Sequence, residues 1–427
     1  AAERKMLNTL KINTIDLDIG MFVSGLDRPW LETPFLTQGF LIESPEDIDR
    51  LRQYCEYVLV DSRRSRQHGA LGRRKQRTAH PRSVGQRKLD GRPRVPVEKI
   101  FKGRSIKPYK DESAWSDEHP RAQAALDALV VDIDEIFEHV SDGGKLNVIK
   151  LRKSVEPIVD SISRNPDAAL WVARLKQHDE YTYQHSLGAA IWSVSLGRQL
   201  GLPRHDLRSL AMGCMLMDVG KLRVAAELLQ AERELSTEEM AEVAGHVSHG
   251  LEIIQESGVL NQDVIDMVAY HHERYDGSGY PDGLKNDEIP AFARIAAIVD
   301  TYDAITSKRS YAEAVSPSEA IKLLYKTRDE EFQAELVESF IQAVGIYPAG
   351  TLVELSSGEV GVVVAEYRLR RLRPKVMVIL DAEKNALPAS KMVDLQEESS
   401  EGEAPSLHIA RSLEPGAYGI DLANVGL

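Results

Sequence analysis

Cysteine is almost absent from this chain. Its two cysteines, Cys55 and Cys214, lie far apart and form no CxxC pair, which excludes a disulfide framework and a cysteine-built metal centre. No apolar run is long enough to cross a bilayer and no signal peptide is evident, so a cytoplasmic protein without a membrane partner is expected. Positive charge is in deficit as well. The net charge of −13 argues against a nucleic-acid partner. Internal repeats are lacking. What remains is an ordinary globular composition, 43% hydrophobic and 28% charged, in a chain of 427 residues. At about 150 residues per domain, that length suggests two or three domains.

The chain changes character along its length. Residues 7–62 read as a small α+β unit. A strand, turn and strand are expected over 36–42, a helix start at Ser44-Pro45-Glu46-Asp47, and a short strand over Tyr57–Asp61. Residues 63–97 carry twelve Arg and Lys against a single acid, Asp90, and predict a solvated basic linker. From 120 to 345 the apolar period is helical, as in Ala122, Leu126, Leu129, Val130 and Ile133, and again in Leu187, Ile191, Val194 and Leu200. After Pro348, segments 352–355, 360–364 and 376–380 read as strands around a Ser-Ser-Gly turn, giving a small β-rich unit over 346–396. Residues 397–427 are expected to be an irregular tail. The fold class is therefore mainly α, a helical bundle with a small α+β domain before it and a small β-rich unit after it.

Ionisable residues recur where the helical pattern asks for apolar ones. Leu207, Ala211, Cys214 and Asp218 share one stripe. A helix opened by the capping box Ser236/Glu239 is expected to bury Met240, Val243, Val247, Leu251 and Ile254, with His246 at the stripe's edge. Val264, Val268 and His271 share a face, and Ile265 and Val268 share nearly the same one with His272. Asp300 and Asp303 flank the core face of Phe292, Ile295, Val299 and Tyr302, and His185 lies in the helix of Leu187 and Ile191. Any one of these reads as a hydrogen-bonded core histidine or a paired aspartate. Five helices each offering His or Asp to one interior read as a pocket for two divalent metals sharing a carboxylate, whose chemistry is phosphoester hydrolysis. The His271-His272 pair runs into a loop with Gly277 and Gly279 that is able to close over a ligand.

The motifs are Tyr-Gln-His185-Ser, Asp218-Val-Gly-Lys221, His246-Val-Ser-His-Gly250, His271-His272-Glu with Asp276-Gly-Ser-Gly-Tyr280-Pro281, and Asp300-Thr-Tyr-Asp303 running on to Arg309. Together they resemble the HD-GYP family, bacterial phosphodiesterases of cyclic di-GMP built on an HD-domain helical bundle. Gly20-Met21-Phe22-Val23 and Asp27-Arg28-Pro29-Trp30 resemble the uncharacterised domain often fused ahead of such units. The resemblance implies His185, Asp218, His246, His271, His272 and Asp300 as metal ligands. Asp218 would bridge, His185 and Asp300 would serve one metal, and the three other histidines the second. It implies catalytic roles for Asp218 and Lys221, and substrate contacts from Lys221, Asp303, Arg309, Tyr280 and Pro281. Cyclic di-GMP is the implied substrate, hydrolysed to linear pGpG or to GMP in second-messenger signalling. Iron or manganese are the favoured metals, diguanylate cyclase domains are implied as partners of the Gly-Tyr-Pro loop, and a homodimer stays open.

Two positions depart from the family pattern. Met217 stands where the family has a ligand histidine directly before the bridging aspartate, and Tyr181 stands where three-metal members have Glu. A thioether is a poor ligand for hard divalent ions. The resemblance therefore implies two metals at most, the one held by His185 and Asp300 being short of a ligand. Met217 also keeps a second reading open: a receptor or adaptor that binds cyclic di-GMP without turnover.

Overall fold

A computed structural model describes residues 9–27, 40–42, 45–61, 95–176, 184–231, 233, 235–307, 314–365, 373–395 and 407–420. The chain divides into two units, residues 1–95 with 367–372, and residues 96–366 with 373–427.

In the first unit, β1 (Thr9–Asn13), β2 (Phe22–Leu26), β3 (Phe40–Leu41) and β4 (Tyr57–Asp61) form an antiparallel sheet of order β1-β4-β2-β3. Val58 and Val60 of β4 are buried while Tyr57 and Leu59, which alternate with them, are half-buried, the period of two that a sheet with one covered face imposes. They join Val23, Ile42 and Cys55 in a small core, to which Ile48 and Leu51 of α1 (Pro45–Tyr54) also belong. Of the hairpin expected over 36–42 only β3 and Ile42 fall within the described residues. Ser44 and nearly all of the basic linker lie outside them.

The second unit is a helical bundle carrying a sheet. Its helices are α2 (Val97–Ile100), α3 (Trp115–Ser141), α4 (Val148–Arg164), α5 (Pro166–Lys176), α6 (Gln184–Leu200), α7 (Arg204–Leu216), α8 (Ala226–Leu229), α9 (Thr237–Ala244), α10 (His246–Glu256), α11 (Gln262–Tyr270), α12 (Ala291–Thr306), α13 (Pro317–Lys326) and α14 (Ala334–Val344). The bundle begins before residue 120. Arg104 bridges Asp206 of α7 at 2.6 Å and Asp263 of α11 at 2.8 Å, and the Lys107 N–H donates to Gly201 O, so the segment after α2 is strapped to the bundle. Helix α6 is buried all round from Ser186 to Arg198 and packs against α7, α12 and α14, as a central helix must. None of the described helices is long and apolar enough to cross a membrane.

Two expectations need correction. The capping box forms as anticipated, with Ser236 Oγ accepting from the Glu239 N–H and Glu239 Oε2 from the Ser236 N–H, but Met240 is 54% exposed. The chain breaks at Gly245 into α9 and α10, which rephases the stripe: α9 buries no residue, whereas Val247 and Ile254 of α10 reach the core. The tail is not irregular throughout. β5 (Leu352–Leu355), β6 (Val360–Ala365), β7 (Lys375–Leu380), β8 (Ala386–Asp394) and β9 (Ile409–Ser412) form an antiparallel sheet of order β8-β7-β6-β5-β9. The four residues of β9 are too few to show a period in the sequence. Pairing with β5 and burial of Ile409 define that strand.

Candidate metal centre

The bundle brings the candidate residues together from five places. His185 is the second residue of α6, and Asp218 follows the C-terminal end of α7, opening the short turn Val219–Arg223. His246 begins α10, His271 caps the end of α11 with His272 next to it, and Asp300 and Asp303 lie in α12. Two groups of side chains with metal-ligand potential result: Asp218, His246, His271 and His272, and His185, Asp218 and Asp300. Asp218 belongs to both.

The three-histidine group is arranged for a cation. His246 Nδ1 lies 2.7 Å from Val243 O, and His271 Nδ1 lies 3.0 Å from Met267 O. A carbonyl only accepts, so each Nδ1 carries the proton and each Nε2 presents a lone pair. Those two Nε2 atoms face each other at 3.4 Å, and stand 3.4 Å (His246) and 3.8 Å (His271) from Asp218 Oδ1. Asp218 Oδ1 is buried and has no hydrogen-bond partner among the described residues. Lone pairs converging on an orphaned carboxylate oxygen repel one another unless a cation sits among them, so these residues fit a divalent metal. Burial pushes His246 down to about 4 and His272 down to about 2, which favours the neutral form of those two imidazoles.

The other group is closed by charge. His185 Nε2 lies 2.7 Å from Asp300 Oδ1 and Nδ1 lies 2.8 Å from Asp303 Oδ2. Both partners are carboxylates, so both ring nitrogens donate. Burial opposes the imidazolium, but the two hydrogen bonds outweigh it and push His185 up to about 10. In turn His185 holds Asp300 below the usual carboxylate range, against the effect of burial. Asp218 is also held well below that range, because Lys221 Nζ at 2.7 Å from Oδ2 and the histidines outweigh its burial.

Asp303 is not placed as a substrate contact. It is 1% exposed, with Oδ2 on His185 and Oδ1 accepting from Trp192 Nε1 at 2.9 Å, so its carboxylate supports His185. Gly188 makes the room: a Cβ there would lie 2.1 Å from Asp303 Oδ1. Trp192 was missed by sequence reasoning, although its spacing of seven from His185 places both on one face of α6. Also missed was Glu273, 1% exposed, whose carboxylate accepts from the N–H groups of Asp282, Gly283 and Leu284. Its signal was its place, between a histidine pair and a glycine-rich loop that needs an anchor. Tyr280 stacks on His272 with ring centroids 4.7 Å apart, and Pro281 is exposed beside it. Met217 is fully buried, and its N–H donates to Gly213 O. Arg309 and Tyr181 lie outside the described residues.

The chain is similar to known proteins along much of its length. Residues 170–336 match the HD domain family, 9–150 a domain of unknown function, and 352–418 a KOW domain associated with HD domains. A cyclic di-GMP phosphodiesterase of Pseudomonas aeruginosa is 31% identical over 394 residues, covering 90% of this chain and 88% of that protein. A 3'3'-cGAMP-specific phosphodiesterase of Vibrio cholerae is 33% identical over 218 residues, 51% of this chain and 39% of that one. Among solved structures, an HDG"Y"P protein from Bdellovibrio bacteriovorus aligns over 78% of this chain and 98% of its own, with 17% identity and a TM-score of 0.45.

Proposed function

The chain belongs to the HD-GYP family of HD-domain proteins, and from that membership we propose that it is a metal-dependent phosphodiesterase opening cyclic di-GMP to linear pGpG, and onward to GMP. The observation that carries this reading is Asp218, one carboxylate with Oδ1 turned to the three-histidine group and Oδ2 to Lys221 and His185. Divalent iron or manganese, suited to mixed imidazole and carboxylate donors, would polarise the phosphodiester and make water a nucleophile near neutral pH. His246, His271, His272 and Asp218 would hold one ion, and His185, Asp300 and Asp218 the other. Lys221 offers an ammonium beside Asp218 to a phosphate oxygen, a point charge where Arg309 would serve as a planar clamp. Tyr280 and Pro281 would form the wall against which the nucleotide rests, and the same loop would meet diguanylate cyclase domains. With a cyclic dinucleotide messenger as substrate, the activity would belong in the cytoplasm.

Cyclic di-GMP is preferred over 3'3'-cGAMP because the relative acting on the former is matched along nearly the whole chain. The test is incubation of manganese- or iron-loaded protein with cyclic di-GMP, following pGpG and GMP by chromatography. Intact nucleotide after hours overturns the enzymatic reading. A second reading, binding without turnover, is favoured by one observation: Met217 is a buried thioether in the family's histidine position. It requires calorimetric affinity for cyclic di-GMP in protein that releases no product.

A further inference from the structure

The three histidines of the Asp218 group are not held in the same way. His246 and His271 are each fixed by an Nδ1 hydrogen bond to a backbone carbonyl three or four residues earlier. The ring of His272 has no hydrogen-bond partner among the described residues, and what lies flat against it is the Tyr280 ring, at an interplanar angle of 24°. Histidine ligands generally need an outer partner to fix the ring, and His272 obtains its partner from a loop eight residues on.

That loop is tied back to the residues that open it. Glu273, the neighbour of His272, is buried and takes three successive N–H groups: Asp282 at 2.8 Å and Gly283 at 3.0 Å on Oε1, and Leu284 at 3.1 Å on Oε2. The Tyr280 N–H donates to His272 O at 3.3 Å. Gly279 lies so close beneath that a Cβ would stand 2.4 Å from both His272 O and Arg274 N. The Asp276 carboxylate accepts from the Ser278 N–H at 2.9 Å and shapes the first bend. The Glu273 carboxylate thus fixes the end of the loop, and the loop in turn holds Tyr280 over His272.

We propose that Tyr280 and Glu273 are positioning residues for the metal centre: Tyr280 fixes the His272 ring by stacking, and Glu273 fixes Tyr280 by anchoring the loop. The Gly-Tyr-Pro loop is then an outer layer of the three-histidine group, and anything that docks on Tyr280 acts on His272. This rests on the metal-centre reading above, and metal binding tests it without reference to turnover.

The experiment titrates manganese(II) alone into the full-length chain by calorimetry and electron paramagnetic resonance. Tyr280→Ala should weaken the tighter manganese site by about tenfold, the lower end for loss of a ligand's outer partner. Tyr280→Phe keeps the ring and should bind within about twofold of the natural protein. Tyr280 is 36% exposed, so its replacement spares the core. Glu273→Gln, which keeps an acceptor but loses the charge, should fall between the two and make the loop at 277–285 more sensitive to limited proteolysis. Equal affinity in Tyr280→Ala and the natural protein overturns the proposal, as does a Tyr280→Phe as weak as Tyr280→Ala. Absence of manganese uptake by the natural protein overturns it together with the metal-centre reading. Tenfold weakening in Tyr280→Ala alongside a metal-loaded natural protein that leaves cyclic di-GMP intact supports the proposal and removes only the enzymatic reading.

Discussion

The two halves of the candidate centre share Asp218 and differ in almost everything else. In the three-histidine half, the Nε2 atoms of His246 and His271 face an oxygen of Asp218 that has no hydrogen-bond partner among the described residues. In the other half, His185 is an imidazolium whose two nitrogens are both taken by carboxylates. The first half is prepared for a cation, whereas the second must lose a proton and an ion pair before it can accept one. Buried charge is tolerated only when paired, and two ways of meeting that demand lie side by side here. Met217 sharpens the asymmetry, since it follows α7 directly before the residue both halves use and contributes no hard ligand.

The comparison can be broken most severely at the shared residue. Asp218→Asn keeps the shape and removes the charge. It should lower hydrolysis of cyclic di-GMP by more than about 100-fold, beyond the upper end for outer-layer partners, and strip metal from both halves in elemental analysis. Retention of metal by either half would show that the two are not linked through this carboxylate.

Acidity should then separate the halves. Metal uptake at His185 displaces a proton held with a pKa of about 10, so it should strengthen about tenfold per pH unit from 7 to 9. His246 and His272, at about 4 and about 2, are already neutral there, and uptake by their half should be flat over the same range. The sign carries over to stability of the metal-free protein. The folded pKa of His185 lies above the ordinary 6.5, so its contribution is complete below pH 6.5 and is lost as pH rises through about 10. Parallel manganese-binding profiles for the two halves would remove the distinction.

Met217→His should narrow the difference. The substitution supplies the missing imidazole, and manganese content should rise toward two per chain with turnover about tenfold faster, the lower end of what a restored partner gives. An unchanged metal content would mean that His185 and Asp300 suffice. The smallest effect is expected one layer further out. Trp192→Phe removes one hydrogen-bond donor from the buried carboxylate of Asp303 and should cost about 1 kcal/mol in urea unfolding. Manganese binding by the three-histidine half should be unaffected.

Much of this is legible in the sequence. The helical stripes of α3, α6 and α12 bury as their spacing predicts, and the Ser236/Glu239 capping box forms because its two hydrogen bonds are local. The six proposed ligands were legible as ionisable residues on apolar faces, and they do converge. Elsewhere pattern alone fell short. Met240 is exposed because it lies on α9, which ends before Gly245 and buries none of its residues, and the hydrophobic period alone does not report where that helix ends. Strand β9 exists by virtue of β5, more than fifty residues earlier. Asp303 and Asp300 look alike in sequence, three residues apart on one helix, yet the space left by Gly188 and the indole of Trp192 make one a support and leave the other a candidate ligand.

The sequence by itself determined the kinds of donor, their order along the chain and the helices that bear them, because helix period, capping and side-chain chemistry act within a few residues. Only the tertiary structure decided which nitrogen of His246 and His271 is free, that both nitrogens of His185 are taken, which oxygen of Asp218 is orphaned, and that Tyr280 lies over His272. Those outcomes depend on which carbonyl, carboxylate or ring the folded backbone brings into contact, some a turn away and some, as with His185 and Asp300, more than a hundred residues on, and burial then decides which of the groups can carry charge.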